Sequence, residues 1–137
     1  MRKQNIAVTV DAVIFDRKAD ILKVLLIKRK NEPFRDQWAL PGGFLEENET
    51  LAEGAKRELE EETGLKLEKF QQIGAFGTPG RDPRGRTISI AFLALIDIEA
   101  KVKASDDAVD SNWFSFNDLP DLAFDHQKII SEANSLL

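Results

Sequence analysis

The sequence contains no cysteine and only one histidine among its 137 residues. Without cysteine the chain forms no disulfide bonds and performs no thiolate chemistry. Structural zinc sites are built from Cys and His ligands, so this composition argues against one.

Long apolar segments are also missing. The first ten residues lack the apolar core of a signal peptide, and no run approaches the roughly 18 apolar residues of a membrane span. We therefore expect a cytoplasmic protein with no membrane partner. No repeat, linker or low-complexity segment divides the chain, so we expect residues 1–137 to form a single domain with no room for a second.

The acidic residues are concentrated in one segment. The whole chain carries a net charge of -5, which argues weakly against a nucleic-acid partner. Residues 43–65 hold eight glutamates against two cations, Lys56 and Arg57. The rest of the chain is close to neutral, so this local acidity needs a specific explanation.

A helix is predicted within the acidic segment. Thr50 followed by Glu53 is a capping-box signature, and Gly64 is a suitable C-cap residue. Three apolar residues recur every four positions, as a helix packed on a core requires: Leu51, Ala55 and Leu59. On such a helix three glutamates share one arc of about 100°: Glu58, Glu61 and Glu62.

The glutamate arc suggests a cation. Three carboxylates on one helix face repel each other unless a cation neutralises them, and oxygen ligands favour Mg²⁺ or Mn²⁺ over zinc. Gly54 lies one turn before Glu58. Glycine inside a helix costs about 1 kcal/mol relative to alanine, so it predicts close approach by another group. Taken alone, the pattern also fits a solvated acidic face.

The spacing of the segment is more specific than its charge. It fits the pattern G-x5-E-x7-R-E-U-x-E-E-x-G-U, where U is aliphatic, at every fixed position: Gly43, Glu49, Arg57, Glu58, Leu59, Glu61, Glu62, Gly64 and Leu65. This pattern resembles the Nudix box, the signature of Nudix hydrolases. The resemblance implies an α/β/α sandwich with a mixed sheet, one box helix and a C-terminal helix. Family members are often dimers, which leaves a homodimer open.

The resemblance also implies a reaction. Nudix hydrolases cleave a nucleoside diphosphate linked to another group with the help of a divalent cation, and we expect Mg²⁺, with Mn²⁺ as the alternative. The expected metal site consists of Gly43 and three glutamates: Glu58, Glu61 and Glu62. Such an ion neutralises phosphate charge and lowers the pKa of a bound water. Any of the three glutamates can also take the proton of the attacking water.

Arg57 is a catalytic candidate with two interpretations. It can contact a phosphate, or it can form an ion pair with Glu49 that fixes the loop before the helix. We favour the ion pair, because arginine binds carboxylates through two parallel hydrogen bonds and the family uses this arginine in that way.

A cluster of arginines points to the substrate. Arg81, Arg84 and Arg86 lie in a turn rich in Gly and Pro, and guanidinium groups suit an anionic ligand, although a solvated surface loop is the alternative. Residues 76–86 and 122–126 resemble Nudix proteins of the ADP-ribose pyrophosphatase group. We therefore expect hydrolysis of ADP-ribose to AMP and ribose 5-phosphate. The alternatives are a (d)NTP pyrophosphohydrolase and a module that senses ADP-ribose or a related nucleotide without cleaving it.

Further candidates each have a structural alternative. Arg29 can contact phosphate or end a strand, and His126 can act as a base, although a lone His is more often a hydrogen-bonded structural residue. Three aromatic residues can stack on adenine but are more often packing residues: Phe34, Trp38 and Phe76. Three acids can supply a further metal ligand or a base but fit a solvated loop equally well: Asp106, Asp107 and Asp110.

Apolar periodicity predicts the remaining elements. The predicted strands are 5–15, 21–29, 67–77, 87–98 and 112–116, with the first two forming a hairpin around a turn at 17–20. Residues 30–38 and 101–111 are predicted loops, and 125–137 a C-terminal helix. Strands on both sides of one central helix favour a mixed sheet.

Overall fold

The computed structural model describes residues 3–96 and 110–137. The described elements follow each other as β1 (Ala7–Lys18), β2 (Ile21–Lys28), β3 (Trp38–Ala39), β4 (Gly42–Phe44), α1 (Leu51–Thr63), β5 (Gln71–Phe76), β6 (Thr87–Ile96), β7 (Asp110–Ser115) and α2 (His126–Asn134). Neither helix in this part of the chain is long and apolar enough to cross a membrane.

Strand β1 is the centre of a mixed sheet, which has seven strands among the described residues. Along one edge it pairs in parallel with β6, which in turn pairs antiparallel with β5. Along the other edge its two halves have different antiparallel partners: β4 pairs near its start and β2 near its end. Strand β2 also pairs with β3 and β7. The predicted β1–β2 hairpin and the predicted mixed sheet are confirmed.

The two helices cover opposite faces of the sheet. Successive residues of a strand point to opposite faces, and in β1 this alternation separates two cores. Phe15 packs in a cluster with Ile129 of α2, whereas Ile14 packs in a cluster with Leu59 of α1. All four side chains are fully buried. The arrangement is the predicted α/β/α sandwich.

Helix α1 begins and ends as its sequence predicts. The hydroxyl of Thr50 accepts from the backbone N–H of Glu53 at 3.1 Å, and the Glu53 carboxylate accepts from the N–H of Thr50 at 2.8 Å. Gly64 closes the helix in the left-handed conformation, with φ of 78°. At Gly54 a Cβ would lie 2.8 Å from Leu45 Cδ1 and 2.9 Å from Glu49 Oε1, which explains the glycine.

The structure corrects several predicted boundaries. Strand β1 continues to Lys18, because residues 15–18 pair with 21–24, and this moves the turn to Ala19 and Asp20. Trp38 belongs to β3 rather than to a loop, since it pairs with Lys28. Likewise Asp110 and Ser111 already belong to β7, because they pair with β2. The end of the predicted strand 87–98 and most of the predicted loop 101–111 lie outside the described residues.

Candidate active site

Two glutamates of α1 meet the short strand β4. The backbone N–H of Gly42 donates to Oε1 of Glu62 at 2.8 Å. A Cβ at Gly43 would lie 2.8 Å from Oε1 of Glu58, so the carboxylate of Glu58 packs directly on the Gly43 backbone. Glycine at this position therefore allows the helix carboxylates to approach the sheet.

The electrostatics of the pair are unfavourable without a counter-charge. Burial raises the pKa of Glu62 well above its ordinary value, and the carboxylates of Glu58 and Asp11 raise it further against the opposing Gly42 N–H. Burial also raises the pKa of Glu58, against the hydrogen bond from Arg57. The buried carboxylate of Glu62 and the partly buried carboxylate of Glu58 form a hard oxygen donor set of the kind that Mg²⁺ and Mn²⁺ prefer. The residues present therefore fit a divalent cation.

Glu61 lies at the edge of this pair. Its carboxylate accepts from Nη1 of Arg57 at 3.3 Å, and its side chain is 43% exposed. Within residues 3–96 and 110–137, no group of three or more His, Asp or Glu side chains is arranged as a metal-binding cluster. The structure thus brings Glu58 and Glu62 together and directs Glu61 to the arginine.

Arg57 forms the ion pair that we favour from the sequence. Its Nε donates to Oε2 of Glu49 at 2.9 Å and its Nη2 donates to Oε1 at 2.8 Å. A further hydrogen bond of 2.8 Å runs from Nη1 to Glu58, and Nη2 also donates to the carbonyl of Phe44. The hydrogen bonds with Glu49 raise the pKa of Arg57. Arg57 therefore holds the loop, the helix and Glu58 in fixed positions.

A cavity opens beside β4 on the α2 side of the sheet. Its wall includes Gly42 and Gly43, which also contact Glu62 and Glu58. The charged and aromatic side chains around it come from distant parts of the chain: Asp11, Arg29, Phe44, Arg81, Asp82, Arg84, Phe124 and His126. We call this space the first cavity. It is next to the carboxylates and carries guanidinium groups.

The three arginines of the turn have different partners. The side chain of Arg81 is only 4% exposed and donates from Nε and Nη2 to both oxygens of Asp125, at 3.0 and 2.6 Å. Arg86 donates to the carbonyl of Gly77. Arg84 is 40% exposed and forms an ion pair of 2.8 Å with buried Asp82. Arg84 is therefore more accessible to a ligand than Arg81, whose guanidinium stabilises the fold.

Arg29 and Arg84 contact the same aromatic ring. The guanidinium carbons lie 5.1 and 5.6 Å from the centre of the Phe124 ring. Burial, together with the positive charge of Arg84, lowers the pKa of Arg29. Two like charges lining one cavity favour an anionic ligand, because it relieves their repulsion.

The three aromatic residues predicted to contact adenine do not line this cavity. Phe76 is only 6% exposed and belongs to the main core cluster. Trp38 packs edge-on against Phe114 at 4.7 Å. Phe34 packs edge-on against Phe124 at 4.8 Å. All three rings therefore pack against other side chains of the fold, which is the alternative to adenine stacking that the sequence left open.

Phe124 is a wall residue to which sequence reasoning assigned no chemistry. Its φ of 54° is rare for a bulky residue, and such strained positions cluster at ligand sites. The resemblance of residues 122–126 to the ADP-ribose pyrophosphatase group was the signal that pointed to this segment. That signal did not identify the contacts with Arg29 and Arg84.

His126 is a structural residue of the cavity floor. The backbone N–H of Leu40 donates to its Nδ1 at 3.0 Å, so in the neutral ring Nε2 carries the proton. That nitrogen lies 3.6 Å from Oδ1 of Asp11, whose other oxygen accepts from the hydroxyl of Ser89. Burial lowers the pKa of His126. With Nδ1 already accepting a hydrogen bond, the neutral ring has no free lone pair with which to act as a base.

Of the three acidic candidates, only Asp110 is among the described residues. Asp106 and Asp107 lie outside the described residues. Asp110 is exposed at the start of β7, where its carboxylate accepts from the N–H of Ser111 at 2.8 Å. It is not part of the wall of the first cavity.

Known proteins are similar to this chain in fold and in sequence. The family description "NUDIX domain" matches residues 5–133. An ADP-ribose pyrophosphatase of Methanocaldococcus jannaschii is 48% identical over 126 residues, which cover 92% of this chain and 72% of the relative. The ADPR responsive transcriptional repressor NtrR of Acinetobacter baylyi is 37% identical over 91% of this chain. This chain spans only 52% of the repressor's length.

Solved structures agree with these matches. The NUDIX domain of Shewanella oneidensis NrtR complexed with ADP ribose has a TM-score of 0.92 and 33% identity, covering 98% of this chain and 90% of that chain. A bifunctional NMN adenylyltransferase/ADP ribose pyrophosphatase of Francisella tularensis, complexed with AMP and a Mn ion, has a TM-score of 0.86 and 35% identity. That match covers 99% of this chain and 43% of the other.

Proposed function

The chain belongs to the Nudix family of pyrophosphohydrolases, and on this basis we propose that it hydrolyses ADP-ribose to AMP and ribose 5-phosphate with the help of Mg²⁺. The observation that carries the proposal is the position of Glu58 and Glu62. Both carboxylates pack on Gly42 and Gly43, which form part of the wall of a cavity lined by guanidinium groups.

The acidic and basic side chains have different proposed roles. Glu58, Glu61 and Glu62 are the proposed metal ligands, and Mn²⁺ is the alternative ion. When bound, the ion supplies charge neutralisation and a water of lowered pKa. Arg29 and Arg84 bind the diphosphate oxygens, since guanidinium groups match the geometry of phosphate.

The reaction consumes one water. Its oxygen loses a proton to one of the three glutamates and forms a bond to one phosphorus of the diphosphate, and the bond between that phosphorus and the bridging oxygen breaks. The bridging oxygen leaves with the other phosphate group. The protein contributes mainly position and charge, as in other phosphoryl transfers. Arg57 positions Glu58 through their 2.8 Å hydrogen bond.

The relatives support ADP-ribose over a nucleoside triphosphate. One is an ADP-ribose pyrophosphatase, and the similar NrtR domain binds ADP ribose. The test is product analysis by HPLC after incubation with ADP-ribose, NADH, diadenosine polyphosphates and the (d)NTPs, each with Mg²⁺ and with EDTA. We expect AMP from ADP-ribose only with metal. Cleavage of a triphosphate in preference to ADP-ribose would replace the proposed substrate.

A nucleotide sensor is the second candidate, because the repressor NtrR of Acinetobacter baylyi is similar to this chain. The intact set of box residues opposes it. Calorimetry with ADP-ribose and Mg²⁺ distinguishes the two functions: tight binding with no AMP formed would favour the sensor. A homodimer, a cytoplasmic location, a single domain and the lack of a nucleic-acid partner remain predictions.

A further inference from the structure

A second cleft lies next to the first cavity. It is formed by the segment that leads into β1 and by the residues that precede β6. Phe44 and Arg84 belong to the walls of both spaces. A ligand whose phosphates occupy the first cavity can therefore extend past these two side chains into the second cleft.

The wall of the second cleft combines apolar and planar groups. Ile6 and Phe44 are large apolar residues, yet their exposed fractions are 39% and 46%. The guanidinium carbon of Arg84 lies 4.7 Å from the centre of the Phe44 ring. Gln4 and Asn5 add amide groups that both donate and accept hydrogen bonds.

Hydrogen bonds to a buried carboxylate hold the side chain of Arg84 in position. Its Nε and Nη2 donate to Asp82 at 3.1 and 2.8 Å, and the Asp82 side chain is only 2% exposed. The guanidinium therefore stays beside Phe44 without the help of a ligand. An aromatic ring, a fixed guanidinium and neutral amides are the groups that stack on a heteroaromatic base and bind its edge.

We propose that the second cleft binds the nucleobase of the substrate against Phe44 and Arg84 while the diphosphate lies in the first cavity. The inference rests on the proposed function and adds the residues that select a nucleotide. Phe44 is then a determinant of substrate affinity and not of the chemical step.

Steady-state kinetics of the full chain with ADP-ribose and Mg²⁺ test the inference. The Phe44→Leu change keeps apolar volume but removes the ring. We expect KM to rise roughly tenfold, while kcat stays within about twofold. Phe44→Trp, which restores an aromatic face, should keep KM near the wild-type value. The matched control is Ile21→Ala, an exposed apolar residue of β2, which should change neither constant.

Product inhibition separates base binding from phosphate binding. In Phe44→Leu the inhibition constant of AMP should rise with KM, whereas that of ribose 5-phosphate, which lacks a base, should stay unchanged. An equal rise for both products, or no rise for AMP, would overturn the inference. An unchanged KM of Phe44→Leu together with a changed molecular mass in sedimentation would also overturn it. Phe44 would then belong to an interface between copies of the chain.

Different experimental results would contradict the inference and the proposed function. If the wild-type protein hydrolyses ADP-ribose but Phe44→Leu binds it equally well, only the base cleft is wrong. If no ADP-ribose is hydrolysed, calorimetry with AMP still tests the cleft. Weaker AMP binding by Phe44→Leu than by wild type supports it, and equal binding contradicts it.

Discussion

The backbone N–H of Gly42 donates a 2.8 Å hydrogen bond to Oε1 of Glu62. Gly42 is also paired with Asp11 in the β1–β4 ladder. The hydrogen bond therefore connects helix α1, through β4, to the central strand β1. Glu62 is thereby held at 6% exposure, where burial, together with the negative charges of Glu58 and Asp11, raises its pKa. The position of the buried carboxylate is determined by the sheet as much as by its own helix.

Replacing Glu62 with Gln should separate activity from stability. The glutamine oxygen can still accept from Gly42, but the charge is lost, and we expect kcat for ADP-ribose to fall roughly 100-fold. A carboxyl whose pKa is raised by folding stabilises the fold most at low pH and loses that contribution as the pH rises through its folded pKa. Near neutral pH without metal, Glu62→Gln should therefore melt no lower than wild type.

The control for this change is Glu60→Gln, on the same helix but with a side chain 51% exposed. It should keep wild-type kcat. Normal turnover by Glu62→Gln, measured beside this control, would remove Glu62 from the proposed metal site.

Gly43→Ala should displace Glu58. The added Cβ would lie 2.8 Å from the Glu58 carboxylate, which must move because it is the flexible end of a side chain. We expect kcat to fall between about 10-fold and 100-fold, as misplacement of a catalytic group does. In Gly77→Ala the added Cβ meets Ile88 instead, at 3.3 Å, and kcat should stay normal. Equal kinetics for both variants would show that the Glu58 position does not matter.

The Glu49–Arg57 ion pair should make stability depend on pH. The hydrogen bonds from Arg57 lower the pKa of Glu49 from 4.5 to about 2. A carboxyl with a lowered pKa stabilises the fold above its unfolded pKa and loses that effect as the pH falls. The wild type should therefore melt higher than Glu49→Gln at neutral pH, and the difference should shrink between pH 4.5 and about 2.

Melting curves of both proteins across this pH range provide the measurement. Glu47→Gln, a change at an exposed neighbour in the same loop, should follow the wild type at every pH. A constant difference between wild type and Glu49→Gln would mean that the ion pair does not lower the pKa of Glu49.

His126 should matter for folding and not as a base. In His126→Ala the N–H of Leu40 loses its buried acceptor, and an unpaired buried donor costs about 1 to 3 kcal/mol. His126→Asn, which supplies an oxygen in place of Nδ1, should recover part of this loss in urea unfolding. We expect kcat of folded His126→Asn to stay within about 10-fold of wild type, below the usual cost of losing a general base. A larger loss in a fully folded sample would assign a chemical role to His126.

Local sequence patterns predicted the box helix well. Its caps depend on residues only three positions apart, Thr50 and Glu53, and on the conformational freedom of Gly64. The long strands were likewise recognisable from their apolar runs. Features set by neighbouring residues are available to sequence reasoning because the chain alone brings these residues together.

Distant pairings could not be predicted in the same way. Arg81 was expected to bind substrate, but it is buried against Asp125, 44 positions away. The partner of His126 is the N–H of Leu40, 86 positions away. Strands β3 and β4 have only two and three residues, which is too few for a periodic pattern. They form because they pair with β2 and β1. Each of these features depends on the packed sheet.

The most direct test of the central claim is quantification of AMP and ribose 5-phosphate formed from ADP-ribose by wild type and Glu62→Gln, with Mg²⁺ and with EDTA. We expect equal amounts of the two products from wild type with Mg²⁺, none with EDTA, and a rate roughly 100-fold lower for the variant. ADP-ribose recovered intact from the wild type with Mg²⁺, or cleaved equally fast by Glu62→Gln, would contradict the proposed reaction at this site.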